Sequence, residues 1–257
     1  MVAVGLVAAV AVPAFGVGVR ATDDATPDVA AAAPHVGTDI SWPQCSGALP
    51  ASPDFGIVGA NDGRPDTVNP CFVAQDRWAS ASGLVMFYMN TANPGVAASQ
   101  AFAYGYSAAQ YAYQYANRHV NAGPTHVWWL DVETANSWDG STTANTLDIE
   151  GSLSFFANNK VPVGVYSTTY QWGVITGGAR IPGILNWVAG AYGAADVGGY
   201  CSPAHSFSGG PVYMAQYTTV FDYDLLCPGM TLPQPKGPPP NLLATLLQSL
   251  ALFLKTL

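Results

Sequence analysis

Short, almost wholly apolar runs alternate with longer runs of helical spacing along most of this chain, and that alternation narrows its folds more than any other feature. "HVGTDIS" (35–41), "DFGIVGAN" (54–61), "GLVMFYMN" (83–90), "HVWWLDVE" (126–133), "VPVGVYS" (161–167), "ILNWVAGAY" (184–192) and "GPVYMAQYT" (210–218) read as strands. Between them, "CFVAQDRWASAS" (71–82), "SQAFAYGYSAAQYAYQYANRHV" (99–120), a segment around 142–159 and one near 169–176 carry helical periodicity. Strands that are apolar on both faces are buried on both, and strands separated by helices pair in parallel. Seven or so such units predict an α/β fold: a single, irregular β/α (TIM-like) barrel, closed or nearly so, followed by a C-terminal helical tail.

In such a barrel the working residues sit at the C-terminal ends of the strands. Polar residues fall there: Asp39 on the first strand, Asn61 and Asp62 on the second, Tyr88 and Asn90 on the third, Asp131 and Glu133 on the fourth, Tyr166 on the fifth. Easy solvation of acids at strand ends accounts for some of these but not for their convergence on one rim. Asp131 and Glu133, in "WWLDVETAN", stand two apart on a strand, so both side chains share a face with Cα atoms about 6.5 Å apart. On a dry aromatic strand one such acid can keep its proton near neutrality while the other stays ionised. Glycosidic cleavage uses that combination, and nearby aromatic residues offer flat faces to sugar rings.

Rival chemistries have less support. A salt-bridged or solvated strand end would also produce D-x-E. A metal site would need His126, which lies at the opposite end of the same strand. His35, His119, His126 and His205 form no zinc-helix motif, and "GGYCS" and "SGG" do not make a serine nucleophile elbow. No metal or organic cofactor is expected.

With 49% apolar residues, the 257-residue chain can bury one barrel-sized core. Only 9% of residues are charged, the net charge is -8, and the eight basic residues are scattered, which excludes a nucleic-acid footprint. Four cysteines with no C-x-x-C pair suit disulfides in an oxidising compartment. Three pairings are possible; the local one, Cys45 with Cys71 and Cys201 with Cys227, is preferred because each cysteine then staples a loop beside a strand or helix. Each bridge would contribute about 3 kcal/mol. Free buried thiols are the alternative.

Residues 1–33 read as a secretory signal and a polar N-terminal segment, "RATDDATPDVAAAAP" following the small apolar run Met1 to Val19. No Lys or Arg precedes that run, so a buried helix remains open. The barrel would span 34–232, a Pro-rich linker 233–240 and an amphipathic helix 241–257. The helix, with Gln248 and Lys255 inside it, is short for a bilayer of about 30 Å, so contact with the domain, a partner or the membrane periphery is expected before a true span.

"GTDIS" with Gln44, "GIVGANDG", "GLVMFYMN", "LDVE", "VGVYSTTYQW", "NWVAGAY" and "AQYTTVFDYDL" occur in an order and spacing that resemble the family 25 glycoside hydrolases. These are lysozyme-like N,O-acetylmuramidases of the Chalaropsis type, here of a secreted, actinobacterial-like branch. The resemblance covers residues 36–226, and its most specific pieces are G-x-D-x-S, D-x-E and the Tyr-Ser and Trp-x-Ala-x-x-Tyr strands. It implies a secreted or cell-wall-associated monomer cleaving the β-1,4 bond between N-acetylmuramic acid and N-acetylglucosamine in peptidoglycan glycan strands. By the same resemblance Glu133 is the general acid, Asp131 its partner carboxylate and Asp39 the acid of the first strand. Asp222 is the acid after the last strand, with Asp224 a near competitor. Tyr88, Asn90, Tyr166, Trp187 and Gln216 would line the sugar groove, although the aromatic ones could equally be core.

Two departures stand out. Ala215-Gln216-Tyr217 replaces the Trp-Gln-Tyr frequent in that family, and the third strand runs into "NTANPG". They motivate an alternative, a catalytically inactive barrel that binds cell-wall glycan. A further alternative is an anchored surface protein that assembles through its Leu-rich tail.

Overall fold

The structure is a computed structural model that describes residues 35–51 and 53–231. The expected signal segment, Pro-rich linker and C-terminal helix lie outside the described residues. Eight strands close a barrel in chain order: β1 Val36–Ile40, β2 Gly56–Gly59, β3 Val85–Asn90, β4 Trp128–Asp131, β5 Val163–Ser167, β6 Leu185–Ala191, β7 Val212–Thr218 and β8 Asp222–Leu226. Helices α1 Phe72–Ser80, α2 Ala98–His119, α3 Thr142–Asn158 and α4 Thr169–Thr176 follow β2 to β5 in turn. The β1–β2 and β6–β7 connections carry only 3-10 turns, at Trp42–Gln44, Val197–Cys201 and Pro203–His205.

Strands β1 to β7 pair in parallel, as expected, but β8 runs antiparallel to both β7 and β1. The cause is chain length. Residues 219–221 alone separate β7 from β8, whereas a parallel crossover needs a dozen or more residues. Asp222 therefore does not trail the last strand; it opens β8, paired with Asp39 of β1.

Adjacent tryptophans on β4 show how the strands serve two cores. Trp128 packs outward with Phe87, Val163, Phe156 and Ile149, between sheet and helices. Trp129 points inward with Ile57, Met86, Trp187 and Met214. Burying each such side chain is worth roughly 1.5–3 kcal/mol. Glycine makes room for the inner rings: a Cβ on Gly164 would enter the ring of Trp129, and one on Gly37 the ring of Phe55.

Outside the barrel, α2 buries a stripe of small residues, Ala101, Gly105, Ala109, Ala112 and Ala116. That spacing matches one helical face. A Cβ on Gly105 would strike the backbone of α3 at Asp148, and one on Gly151 of α3 would strike α2 at Phe102. The helices therefore touch backbone to backbone, and the Ser152 hydroxyl donates to the Gly105 carbonyl at 2.9 Å.

The disulfides follow the local pairing. Cys45–Cys71 ties the turn after β1 to the N-terminus of α1, and Cys201–Cys227 ties the 3-10 turn after β6 to the end of β8.

Candidate active site

A cavity of about 500 Å³ opens at the C-terminal ends of the parallel strands. Asp39, Tyr88, Asn90, Asp131, Glu133, Tyr166, Trp187, Gln216 and Asp222 all line it, so the structure brings these nine residues named from the sequence together. Ser41, Trp42, Asn136 and Thr218 also line it and were missed. Trp42 follows "GTDIS" directly, and Asn136 closes "WWLDVETAN", so both stood next to recognised motifs. Asn61 and Asp62 are not part of the cavity wall. Asn61 joins β2 to β3, donating to the Asn90 carbonyl at 3.1 Å and accepting from the Asn90 N–H at 2.9 Å; the Asp62 N–H donates to Thr67 in the following loop.

Asp131 ends β4 and is buried, with 5% of its surface exposed. Its Oδ2 accepts from the Asn90 side-chain amide, while Oδ1 has no donor among the described residues. Burial first, and then the charge of Glu133, push its pKa well above the carboxylate range; the amides of Asn136 and Asn90 oppose them.

Glu133 lies two residues beyond β4, half-buried at the mouth. The Trp138 indole donates to its backbone carbonyl at 2.9 Å, and the Thr134 N–H donates to Gln171 of α4. Asn93, from the loop after β3, donates through its N–H to the Ser137 carbonyl at 2.9 Å and accepts from the Asp139 N–H at 2.9 Å. The "NTANPG" departure thus contributes to holding the Glu133 loop. Burial and the charge of Asp222 raise the Glu133 pKa.

Asp39 accepts from Gln216 Nε2 at 2.8 Å, and Gln216 Oε1 accepts from the Tyr166 hydroxyl at 2.8 Å. Burial and Asp222 raise Asp39 to about 8, against the bonds from Gln216 and Asp224. Asp222 itself accepts from the Thr218 hydroxyl at 2.6 Å. Burial also pushes the Tyr88 and Tyr166 phenols up, which keeps them neutral. Among the described residues, no Lys or Arg lines the cavity. Closely spaced carboxylates without a cation relieve their repulsion by retaining protons, so the cluster holds acids and anions together near neutral pH.

The aromatic residues divide by depth. Trp187 is only 2% exposed, packed edge-on to Tyr166 at 4.7 Å and to Trp129 at 5.7 Å, so it belongs chiefly to the barrel interior. Tyr88 and Tyr166 are half-buried, and Trp42, 43% exposed, is the open aromatic face at the mouth. Ala215 packs outward against Ala191 and Val197, away from the cavity. Its departure from the Trp-Gln-Tyr pattern therefore removes no wall. Among the described residues, no three His, Cys, Asp or Glu side chains group as ligands of a metal ion.

The fold is shared with solved structures. The family GH25 lysozyme from Aspergillus fumigatus is 17% identical and superposes with a TM-score of 0.53 over 77% of this chain and 96% of its own. The muramidase from Acremonium alcalophilum is 18% identical, with a TM-score of 0.54 over 82% and 98%. The glycosyl hydrolase 25 GHIP of Streptococcus pneumoniae is 16% identical, with a TM-score of 0.51 over 77% and 88%. At these identities the likeness is one of fold. No curated protein matches the sequence. The sequence profile of one family, Lys-1, described as lysozyme-like protein 1, matches residues 68–198, half of the chain and the span from α1 to the 3-10 turn after β6. The chain belongs to the lysozyme-like protein 1 family.

Proposed function

We propose that this protein is a secreted muramidase, a glycoside hydrolase that cleaves the β-1,4 bond between N-acetylmuramic acid and N-acetylglucosamine in bacterial peptidoglycan. The observation that carries this is the convergence of Asp39, Asp131, Glu133 and Asp222 on one cavity that no basic side chain among the described residues lines. Such a site suits a substrate that develops positive charge as its bond breaks. The lysozyme-like family and the muramidase and lysozyme names of its structural neighbours support the same bond and polymer.

Glu133 is the general acid. It stands at the mouth, where a glycosidic oxygen can reach it, and burial with the Asp222 charge favours its protonated form. Its proton passes to the leaving oxygen as the bond from the anomeric carbon breaks. Asp131, bonded to the Asn90 amide, steadies the oxocarbenium-like centre or orients the substrate's N-acetyl group. Water then adds to the anomeric carbon and gives a proton back to the Glu133 carboxylate. Tyr88, Tyr166 and Trp42 contact the sugars, and Asn90 and Gln216 hold the carboxylates. Two disulfides fit an oxidising, extracellular compartment. The Chalaropsis-type activity, the actinobacterial wall as substrate and action as a monomer belong to the same proposal.

The inactive glycan-binding alternative drew on Ala215 and the loop after β3. One faces away from the cavity and the other contributes to holding the Glu133 loop. The deciding experiment is mass spectrometry of soluble fragments released from purified actinobacterial peptidoglycan by the wild type and by Glu133→Gln. Disaccharide-peptides with reducing muramic acid ends, from the wild type only, are expected. Binding without products from several walls, by a folded protein, would replace the enzyme with a binding barrel.

A further inference from the structure

Asp224 is a fifth carboxyl, fully buried and facing the barrel interior below the cavity floor. On β8 it pairs with Gly37 of β1 and Gln216 of β7, one inward position deeper than Asp222. Its Oδ1 accepts from Trp187 Nε1 at 2.9 Å, while Oδ2 meets no N–H or O–H donor among the described residues. The Asp39 carboxyl is within hydrogen-bond reach of it. Two carboxylates are both acceptors, so this contact is a bond only when one of them carries a proton. Asp39 already accepts from Gln216 and reaches the cavity, whereas Asp224 has no exposure at all. Burial disfavours the anion most at the deeper group.

We propose that Asp224 is a positioning residue: as a neutral acid it accepts from Trp187 and donates its proton to Asp39, fixing that carboxylate toward the cavity beside Gln216. One proton is thereby shared under the floor, and Asp39 is the member of the pair that ionises first as pH rises. The groups facing the pair from neighbouring strands are Asp222 on β8, Tyr88 on β3, Asp131 on β4 and Tyr166 on β5, with Glu133 at the mouth; none is a cation. Loss of the Asp224 proton at high pH would place two anions in contact and break the bond to Asp39.

An amide is the isostere of the neutral acid. Asp224→Asn can accept from Trp187 and donate to Asp39 yet cannot ionise, while Asp224→Leu keeps the branched shape and loses both bonds. The role deepens the muramidase proposal, but one test is independent of it. In a pH series on protein with 13C-labelled aspartate carboxyls, the wild type should retain a protonated carboxyl at neutral pH that is missing in Asp224→Asn. Detection of only ionised aspartates at pH 7 would overturn the proposal even if the enzyme cleaves walls. On peptidoglycan, Asp224→Asn should keep kcat/KM within about threefold near pH 6 and lose less activity than the wild type at alkaline pH, whereas Asp224→Leu should lose at least about tenfold while still folded. Equal losses in the two variants, or an unchanged alkaline limb in Asp224→Asn, would also overturn it. If the wild type cleaves no wall, the carboxyl resonances still decide the Asp224 role.

Discussion

The indole N–H of Trp138 donates to the backbone carbonyl of Glu133 at 2.9 Å, five residues back along one loop. Glu133 lies outside the β4 ladder, so strand pairing does not fix it. Its position depends on this bond, on Thr134 held by Gln171, and on the Asn93 bonds that join the loops after β3 and β4. The carboxyl proposed to deliver the proton is thus placed by a built loop rather than by the sheet.

Trp138→Phe tests that dependence. It keeps a large ring but removes the donor, leaving the Glu133 carbonyl to water at a cost of about 1 kcal/mol. The expected result is a fall in kcat of roughly five- to tenfold with KM little changed, because a misplaced acid harms the transition state more than binding. Steady-state kinetics on soluble muropeptide polymer, with circular dichroism as the fold control, would measure it.

Asp39→Asn should change how stability depends on pH. Folding raises the Asp39 pKa from 3.8 to about 8, chiefly by burial. Between those values the folded state binds the proton more tightly than the unfolded one, so the favourable contribution is complete below about pH 4 and is lost as pH rises toward 8. Removing the ionisable group removes that slope. The variant should gain on the wild type with rising pH, by about 2–4 °C of Tm per kcal/mol recovered. Melting curves from pH 4 to 9 that stay parallel for the two proteins would contradict this.

Seven strands and the four described α-helices were legible in the sequence because apolar runs bounded by helical spacing are the signature of a covered parallel sheet. β8 was not, for a physical reason. Its residues Asp222 and Asp224 face the carboxylate network inside the barrel, so "DYDLL" lacks the apolar pattern, and the hairpin "TTVF" before it carries no glycine turn signal. The strand-end rule found Asp39, Tyr88, Asn90, Asp131, Glu133 and Tyr166 but not Thr218 at the end of β7, while Trp187, Gln216 and Asp222 came from the family resemblance. The rule also missed Trp42 and Asn136, which loops deliver, and it included Asn61, which satisfies backbone groups of β3 instead. Position along a strand also could not show that Ala215 faces outward, because β6 and β7 pair with register shifts.

Two glycine substitutions should have opposite effects. Gly164→Ala would drive a methyl into the Trp129 ring inside a filled barrel and should destabilise by about 1–3 kcal/mol. Gly173→Ala, in the interior of α4 with nothing within 4 Å of its would-be Cβ, should stabilise by roughly 0.5–1 kcal/mol through helix propensity. Denaturant unfolding would compare them, and tryptophan fluorescence should shift only in the first.

The Cys201–Cys227 bridge anchors the end of β8, the strand that closes the barrel and carries Asp222 and Asp224, to the 3-10 turn after β6. Replacing both cysteines by serine frees a loop of sequence separation 26 in the unfolded chain. The expected loss is about 3 kcal/mol. Because β8 stays hydrogen-bonded to β1 and β7, the cavity should keep its shape while the protein is folded. Activity at 25 °C should therefore be close to wild type, with inactivation at a temperature lower by about 6–12 °C, from the same loss spread over a domain of this size. Residual-activity curves after heating test both halves. Loss of activity at 25 °C in a folded variant would mean that the bridge, not strand pairing, sets the geometry of the carboxylates.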